Sequence, residues 1–278
     1  MAKTYDVKQL KKIAREARID VIKMLAQAGS GHPGGSLSEI DILVSLYTHV
    51  MKYDPKNLCL GDRDRFVLSK GHGIPGLYAV MAQVGYWSRE ELQTLRVLDS
   101  PFQGHPDRCK LPGLETSTGS LGQGLSIAVG FALASKLDGD TFRVYCLIGD
   151  GESQEGQIWE AALSAGKYKL DNLVCILDYN KAQIDGYVKD IMPLEPIADK
   201  WRSFGWHVIP VNGHDFDELI HAFDEAKTVK GKPTFILADT VKGKGVSFME
   251  NVVDWHGVAP NKEQEEKALK ELTEAIEE

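Results

Sequence analysis

Two continuous apolar runs constrain this chain more than anything else in it. Arg143-Val144-Tyr145-Cys146-Leu147-Ile148 stops abruptly at Gly149-Asp150-Gly151, and Asn172-Leu173-Val174-Cys175-Ile176-Leu177 stops at Asp178-Tyr179-Asn180. Neither run alternates polar with apolar. A strand that is apolar on both sides must be covered on both faces, which is the situation of a parallel sheet. A helical stretch over 156–168 lies between them. Residues 206–211 and 233–241 read as two further strands, with a helix over 215–227 between. Arg65-Phe66-Val67-Leu68 adds an earlier, short one. Strands alternating with helices predict an α/β fold, a mostly parallel sheet with helices on both faces. A chain of 278 residues can bury such a core as one large α/β domain or as two small ones.

Around that frame, residues 7–28 carry Leu10, Ile13, Ala14, Ala17, Val21, Met24, Leu25 and Ala28 at helical spacing. Lys8, Lys11, Lys12, Arg15 and Arg18 form the opposite, solvated face, and Gly29-Ser30-Gly31 stops the helix. A second helix is expected over 36–51, with Ser36 as its cap and Glu39 completing a capping box. A helix of small and apolar residues should run to about Val84. Residues 99–118 are turn-rich and read as a surface excursion. Residues 121–137 read as a buried helix. Residues 262–278 read as an acidic amphipathic helix, with Leu269, Leu272 and Ile276 on one side.

Composition narrows the partners. The chain holds 32 Lys+Arg against 40 Asp+Glu, a net charge of -8. That balance argues against nucleic acid and anionic membranes, which need a basic face. No apolar stretch approaches the roughly 18–20 residues that cross a bilayer, and residues 1–10 lack a signal-peptide core. The four cysteines are scattered, with no C-x-x-C pair, and nothing suggests an oxidising compartment. A cytoplasmic location is expected.

In an open parallel sheet, ligands bind beyond the carboxyl ends of the strands. Here those ends read Ser69-Lys70-Gly71-His72, Gly149-Asp150-Gly151, Asp178-Tyr179-Asn180 and Lys242-Gly243-Lys244-Gly245. If the second and third strands are neighbours, they lie about 5 Å apart, and Asp150 and Asn180 face one crevice. A carboxylate and an amide oxygen form a hard-oxygen set suited to Mg²⁺ or Ca²⁺, completed by a backbone carbonyl, water and ligand phosphates. Flanking glycines let the backbone approach a diphosphate. His32, His72, His105 and His256 all sit in loops beside glycine, proline or tryptophan, which suggests a shared polar pocket. Zinc is disfavoured, because no two of them have metal-ligand spacing and no cysteine accompanies them. Gly119-Ser120-Leu121-Gly122-Gln123-Gly124 lacks the last glycine of a dinucleotide fingerprint and follows no apolar strand. P-loop, H-E-x-x-H and G-x-S-x-G signatures are absent from the sequence.

These segments resemble the transketolase family. Asp150 within Gly149-Asp150-Gly151, followed by Asn180, matches the thiamine diphosphate–metal motif, with Tyr179 where many relatives carry another asparagine. Ser30-Gly31-His32-Pro33-Gly34, 66–72, Gly104-His105-Pro106, 119–124 and Trp255-His256-Gly257 look like transketolase in the family's order, from Gly29 to Pro260.

The resemblance implies a single thiamine diphosphate-binding domain over 1–278, ending in the acidic helix. Complete transketolases are over twice as long, so the chain looks like the N-terminal subunit of a split enzyme. The partner subunit would carry the pyrimidine-binding domain and the activating glutamate, in a dimer of heterodimers. By resemblance, Asp150, Asn180 and the Ala182 carbonyl bind Mg²⁺ (or Ca²⁺). Gly151, His72, Lys70, Lys242 and His256 line the diphosphate, and Gly119, Ser120 and Leu121 lie at the aminopyrimidine. His32, His72, His105 and His256 surround the sugar as catalytic residues. The implied reaction moves a two-carbon ketol unit from a ketose (phosphate) to an aldose (phosphate), as in pentose phosphate metabolism, with the cofactor supplying the carbanion chemistry. The alternatives are a non-catalytic cofactor-binding or regulatory module, a dehydrogenase E1-like subunit or a sugar-phosphate synthase. The pocket histidines speak against a mere binding module, and His32, His105 and His256 favour transketolase over the other enzymes.

Overall fold

The computed structural model describes residues 5–274. The elements run α1 (Val7–Ala28), α2 (Pro33–Ser38), α3 (Ile40–Ser45), β1 (Arg65–Leu68), α4 (Ile74–Gln83), α5 (Gln123–Asp138), β2 (Val144–Gly149), α6 (Gly156–Lys167) and β3 (Leu173–Tyr179). Then come a hairpin of β4 (Ala182–Gln183) and β5 (Gly186–Tyr187), α7 (Val188–Ile191), α8 (Ile197–Ser203), β6 (His207–Asn212), α9 (Phe216–Thr228), β7 (Thr234–Asp239) and α10 (Lys262–Glu274).

Five strands form one sheet in the order β1-β2-β3-β7-β6, and every pairing is parallel. The expected α/β architecture is present, and the reason is visible residue by residue. Tyr145 and Leu147 of β2 and Val174 and Ile176 of β3 point into a core shared with α1, α3, α4 and α9. Their neighbours Val144, Cys146, Ile148, Cys175 and Leu177 point into a second core against α5, α6 and α8. With both faces covered, alternation disappears from the sequence.

Helix α1 begins and ends where its sequence says it should. Asp6 accepts from the Gln9 amide while the Gln9 side chain accepts from the Asp6 amide, and Gly29 closes the helix at φ 62°. The segment after it differs from expectation. A first turn starts at Pro33, and the chain resets at Glu39 before α3. Ser36 donates to the His32 carbonyl instead of capping, and Glu39 is fully buried beside Lys70. A buried ammonium attracts that carboxyl more strongly than a helix end does. The 123–138 helix is also less buried than expected. Leu125, Ala128 and Ala132 face the sheet, but Leu137 is 84% exposed. In α10, Leu272 is buried and Leu269 packs on the core, while Ile276 lies outside the described residues.

Candidate functional site

The register of β2 on β3 pairs Gly149 with Asp178, so Asp150 and Asn180 leave neighbouring strand tips. Asp150 is buried, and its Oδ1 accepts from the Gly151 amide at 2.7 Å. Its Oδ2 accepts from the Lys181 amide at 2.5 Å. Asn180 Nδ2 donates to Asp178 Oδ2 at 3.2 Å and to Ser38 Oγ at 3.3 Å. That fixes the amide, leaving Oδ1 turned toward the Ala182 amide at 3.2 Å. The Ala182 carbonyl accepts from Lys242 Nζ at 3.2 Å. A carboxylate, an amide oxygen and a carbonyl therefore gather on one turn. Gly151 permits the approach, since a Cβ there would stand 2.9 Å from Gln183 Cβ.

Beneath this turn lies a buried polar hub. Asp178 accepts from Ser38 Oγ at 2.6 Å, Thr240 Oγ1 at 2.5 Å and Lys70 Nζ at 2.5 Å. Lys70 also reaches the Gly35 carbonyl at 2.8 Å and Glu39 Oε2 at 2.8 Å. Two of its three protons go to the Asp178 and Gly35 oxygens, while Glu39 Oε2 stands close by without a hydrogen bond. This places Lys70 in the hub below the turn. Burial pushes the Glu39 carboxyl up to about 8, outweighing the pull of Lys70. Against burial, Lys70 and the hydrogen bonds from Ser38 and Thr240 hold Asp178 below the usual carboxylate range. One ammonium thus balances one carboxylate, and Glu39 keeps its proton near neutral pH.

Four histidines converge above the hub. The His32 ring centroid lies 5.2 Å from His72, 6.2 Å from His105 and 5.8 Å from His256, and His72 lies 5.2 Å from His256. Burial, then the Arg96 charge and the neighbouring imidazole and ammonium groups, lower His32 to about 4. Burial and Lys242 lower His256 to about 3. Burial and Lys70 push His72 well down, and burial with Arg96 lowers His105. The pocket presents neutral imidazoles. Lys242 Nζ lies 2.9 Å from His256 Nδ1. An ammonium can only donate, so Nδ1 accepts and Nε2 carries the proton.

The 119–124 loop closes the outer side. Gly119 sits at φ 154° with His105 against it, a Cβ there falling 3.2 Å from His105 Cδ2. Glu152, buried at the start of the turn after β2, accepts from Ser69 Oγ at 2.5 Å, the Gly122 amide at 2.9 Å and the Gly149 amide at 3.0 Å. It ties this loop to the ends of β1 and β2. Ser120 and Leu121 are exposed at the loop's edge, and His105 is the most open of the four histidines.

The donor set fits a metal–diphosphate group. Burial and the adjacent Asp178 raise the Asp150 carboxyl, disfavouring its charge. Burial, with Lys70 adding repulsion, lowers the Lys242 ammonium despite Asp150 and Asp178. An anion and a cation, both penalised, border the same turn. A divalent ion beside Asp150 and a phosphate beside Lys242 relieve both. His32 Nδ1 is buried and has no hydrogen-bond partner, a polar atom that awaits a ligand.

Sequence reasoning overlooked Ser38, Glu152 and Thr240, gave Glu39 only a capping role, and noticed Asp178 only as part of a strand end. None carries a motif; Asp178 and Glu152 stand two residues from Asn180 and Asp150, and that spacing was their only signal.

Residues 9–274 match the family described as "Transketolase, thiamine diphosphate binding domain". Over 251 residues the chain is 49% identical to the 6-deoxy-6-sulfo-D-fructose transketolase subunit of Clostridium sp. (strain MSTE9), covering 90% of this chain and 91% of that one. It is 41% identical over 271 residues to an apulose-4-phosphate transketolase subunit of Phocaeicola vulgatus, covering 98% and 96%. The fold superimposes on transketolase from Campylobacter jejuni with a TM-score of 0.91 and 36% identity, covering 97% of this chain and 43% of that one. By sequence and by fold, the chain belongs to the transketolase family, through its thiamine diphosphate-binding domain.

Proposed function

We propose that this chain is the N-terminal subunit of a two-chain transketolase. With its partner it transfers a two-carbon ketol unit from a ketose donor to an aldose acceptor. The paired misfit of Asp150 and Lys242 beneath four neutral imidazoles carries this reading. A module that only held the cofactor needs the metal and phosphate groups, not the histidine cluster. The chain spans 91% and 96% of two relatives named as transketolase subunits, but 43% of the longer Campylobacter chain. That match in length supports a separate partner supplying the rest of the site, in a dimer of heterodimers. Residues 1–278 then act as one cofactor-binding domain.

Asp150, Asn180 and the Ala182 carbonyl would hold Mg²⁺ (or Ca²⁺), with Gly151, Lys70, Lys242, His72 and His256 at the diphosphate. Gly119, Ser120 and Leu121 would border the aminopyrimidine. Bound there, thiamine diphosphate supplies the electron sink for cleaving and forming the carbon–carbon bond. This chain's residues do the rest by positioning and proton handling. Neutral His32, His72, His105 and His256 each offer one donor and one acceptor to sugar hydroxyls. His256, with Nε2–H directed away from Lys242, is set to donate. His32 Nδ1 is free to accept a hydroxyl proton.

The two named relatives act on sugars bearing a sulfo and a phosphate group, so we propose a ketose with an anionic terminus, used in the cytoplasm in pentose-phosphate-type sugar metabolism. No helix among the described residues is long and apolar enough to cross a membrane. The test is direct: the chain alone, with Mg²⁺ and thiamine diphosphate, should show negligible ketol transfer, and adding the cognate second chain should restore it. Full turnover without a partner overturns the two-chain reading.

A further inference from the structure

Lys242 sits on a loop whose two ends are gripped from outside the crevice. Gly213, just beyond β6, has room for no side chain, since a Cβ would fall 2.4 Å from Thr240 Cγ2. This tight approach brings the next residue, His214, against the loop. The Val241 amide donates to His214 Nε2 at 2.8 Å. A backbone amide cannot accept, so Nε2 carries no proton and the ring proton sits on Nδ1. Nδ1 lies 2.7 Å from Asp41 Oδ2 and donates to it. Asp41 also takes Arg18 Nη1 at 3.0 Å and Nη2 at 2.6 Å. The same guanidinium donates through Nε to the Lys244 carbonyl at 3.1 Å.

The amide of Val241 and the carbonyl of Lys244 therefore both refer back to one carboxylate on α3. We propose that Asp41, acting through His214 and Arg18, is a positioning device that sets where the 241–244 loop delivers the Lys242 ammonium. It touches neither the metal turn nor the histidine cluster. Its parts are directional: one imidazole tautomer and one bidentate guanidinium satisfy both ends at once. Arg18 and His214, against the upward push of burial, hold Asp41 at about 2, so the carboxylate stays charged. An apolar packing contact would fill the same space but would not dictate the height of the loop.

The inference rests on Lys242 serving the diphosphate, and two sets of measurements separate the claims. On the wild-type full chain, long-range ¹⁵N–¹H correlation should show His214 protonated at Nδ1 and bare at Nε2; an Nε2-protonated ring overturns the device, and this needs no variant. In His214→Leu, amide exchange across Val241–Lys244 should quicken about tenfold, the loss of one hydrogen bond, while the 119–124 loop stays unchanged. His214→Gln, whose amide offers a donor and an acceptor at similar spacing, should restore protection. Exchange equal to wild type in His214→Leu overturns the proposal, as does failure of Gln to restore it. Lys242→Met tests the functional reading alone. Unchanged thiamine diphosphate affinity in that variant, by calorimetry with Mg²⁺ on the assembled complex, sinks the diphosphate role and leaves the tautomer and exchange results to judge the device.

Discussion

The two ends of the same sheet bury a carboxylate to a similar degree but surround it with different charges. At the amino end, Asp64 Oδ1 accepts from the Arg143 amide at 2.8 Å and Oδ2 from the Lys52 amide at 2.8 Å. Arg143 in turn donates to the Asp171 and Ala226 carbonyls, each at 2.9 Å. Backbone groups meet both charges, although burial still raises the Asp64 carboxyl and Arg143 Nε has no partner. At the carboxyl end, Asp150 and Lys242 are both driven away from their charged forms, and His32 Nδ1 has no partner. Burial is comparable, with Asp64 at 7% exposure and Asp150 at 3%. What differs is the neighbouring charge: Arg143 and Lys227 favour the Asp64 carboxylate, whereas Asp178 adds to the push on Asp150 and Lys70 to that on Lys242.

The largest expected break in this contrast is Asp150→Ala. On the assembled complex, calorimetry should show thiamine diphosphate affinity in Mg²⁺ falling about 100-fold or more, about 2.7 kcal/mol. The unliganded chain's thermal midpoint should move less than in Asp64→Ala, because the adjacent Asp178 adds to the penalty on Asp150 while Arg143 and Lys227 favour the Asp64 charge. Unchanged affinity removes Asp150 from the metal site.

Asp64→Ala is the converse. It strands two backbone donors at a cost of about 2–4 kcal/mol, read by urea denaturation, with cofactor affinity unmoved. A variant that weakened the cofactor as much as Asp150→Ala would erase the distinction between the two ends.

Glu39→Gln sharpens the contrast through pH. The folded carboxyl titrates at about 8, raised from 4.5 by burial. Its stabilisation is therefore present below the lower value and lost as pH rises through the upper one. The Gln variant should gain on wild type between about pH 5 and 8, by at most about 1.4 kcal/mol per pH unit. A pH-independent stability difference contradicts a protonated Glu39.

The smallest effect is expected at the C-terminal cap of α1. Gly29 holds φ 62° with open space around it, so Gly29→Ala should cost about 1 kcal/mol of backbone strain in a melting experiment. Cofactor affinity should not change.

Much of this contrast could be read before any coordinates. The apolar runs of β2 and β3 announced a sheet covered on both faces. Gly29 stops α1 because capping is local chemistry, and the structure added the Asp6–Gln9 capping box at its other end. The polar strand ends marked the edge where Asp150, Asn180 and Lys242 come together. The misreadings share one cause. Ser36 and Glu39 have capping spacing, but a buried ammonium from another strand captured Glu39. Residues 121–137 are apolar on all sides, yet only one side meets the sheet.

Linear pattern was enough to settle the strand–helix alternation, the sheet edge where the polar strand ends gather, and the residue types gathered there. These depend on periodicity and on groups within a few positions of one another. It took the folded arrangement to show that Lys70 is buried between Asp178 and Glu39, that Asp178 turns the Asn180 amide, and that Asp41 reaches the Lys242 loop through His214. Those outcomes rest on partners up to 226 residues apart. Their energies depend on burial and close placement, which the order of residues along a chain does not encode.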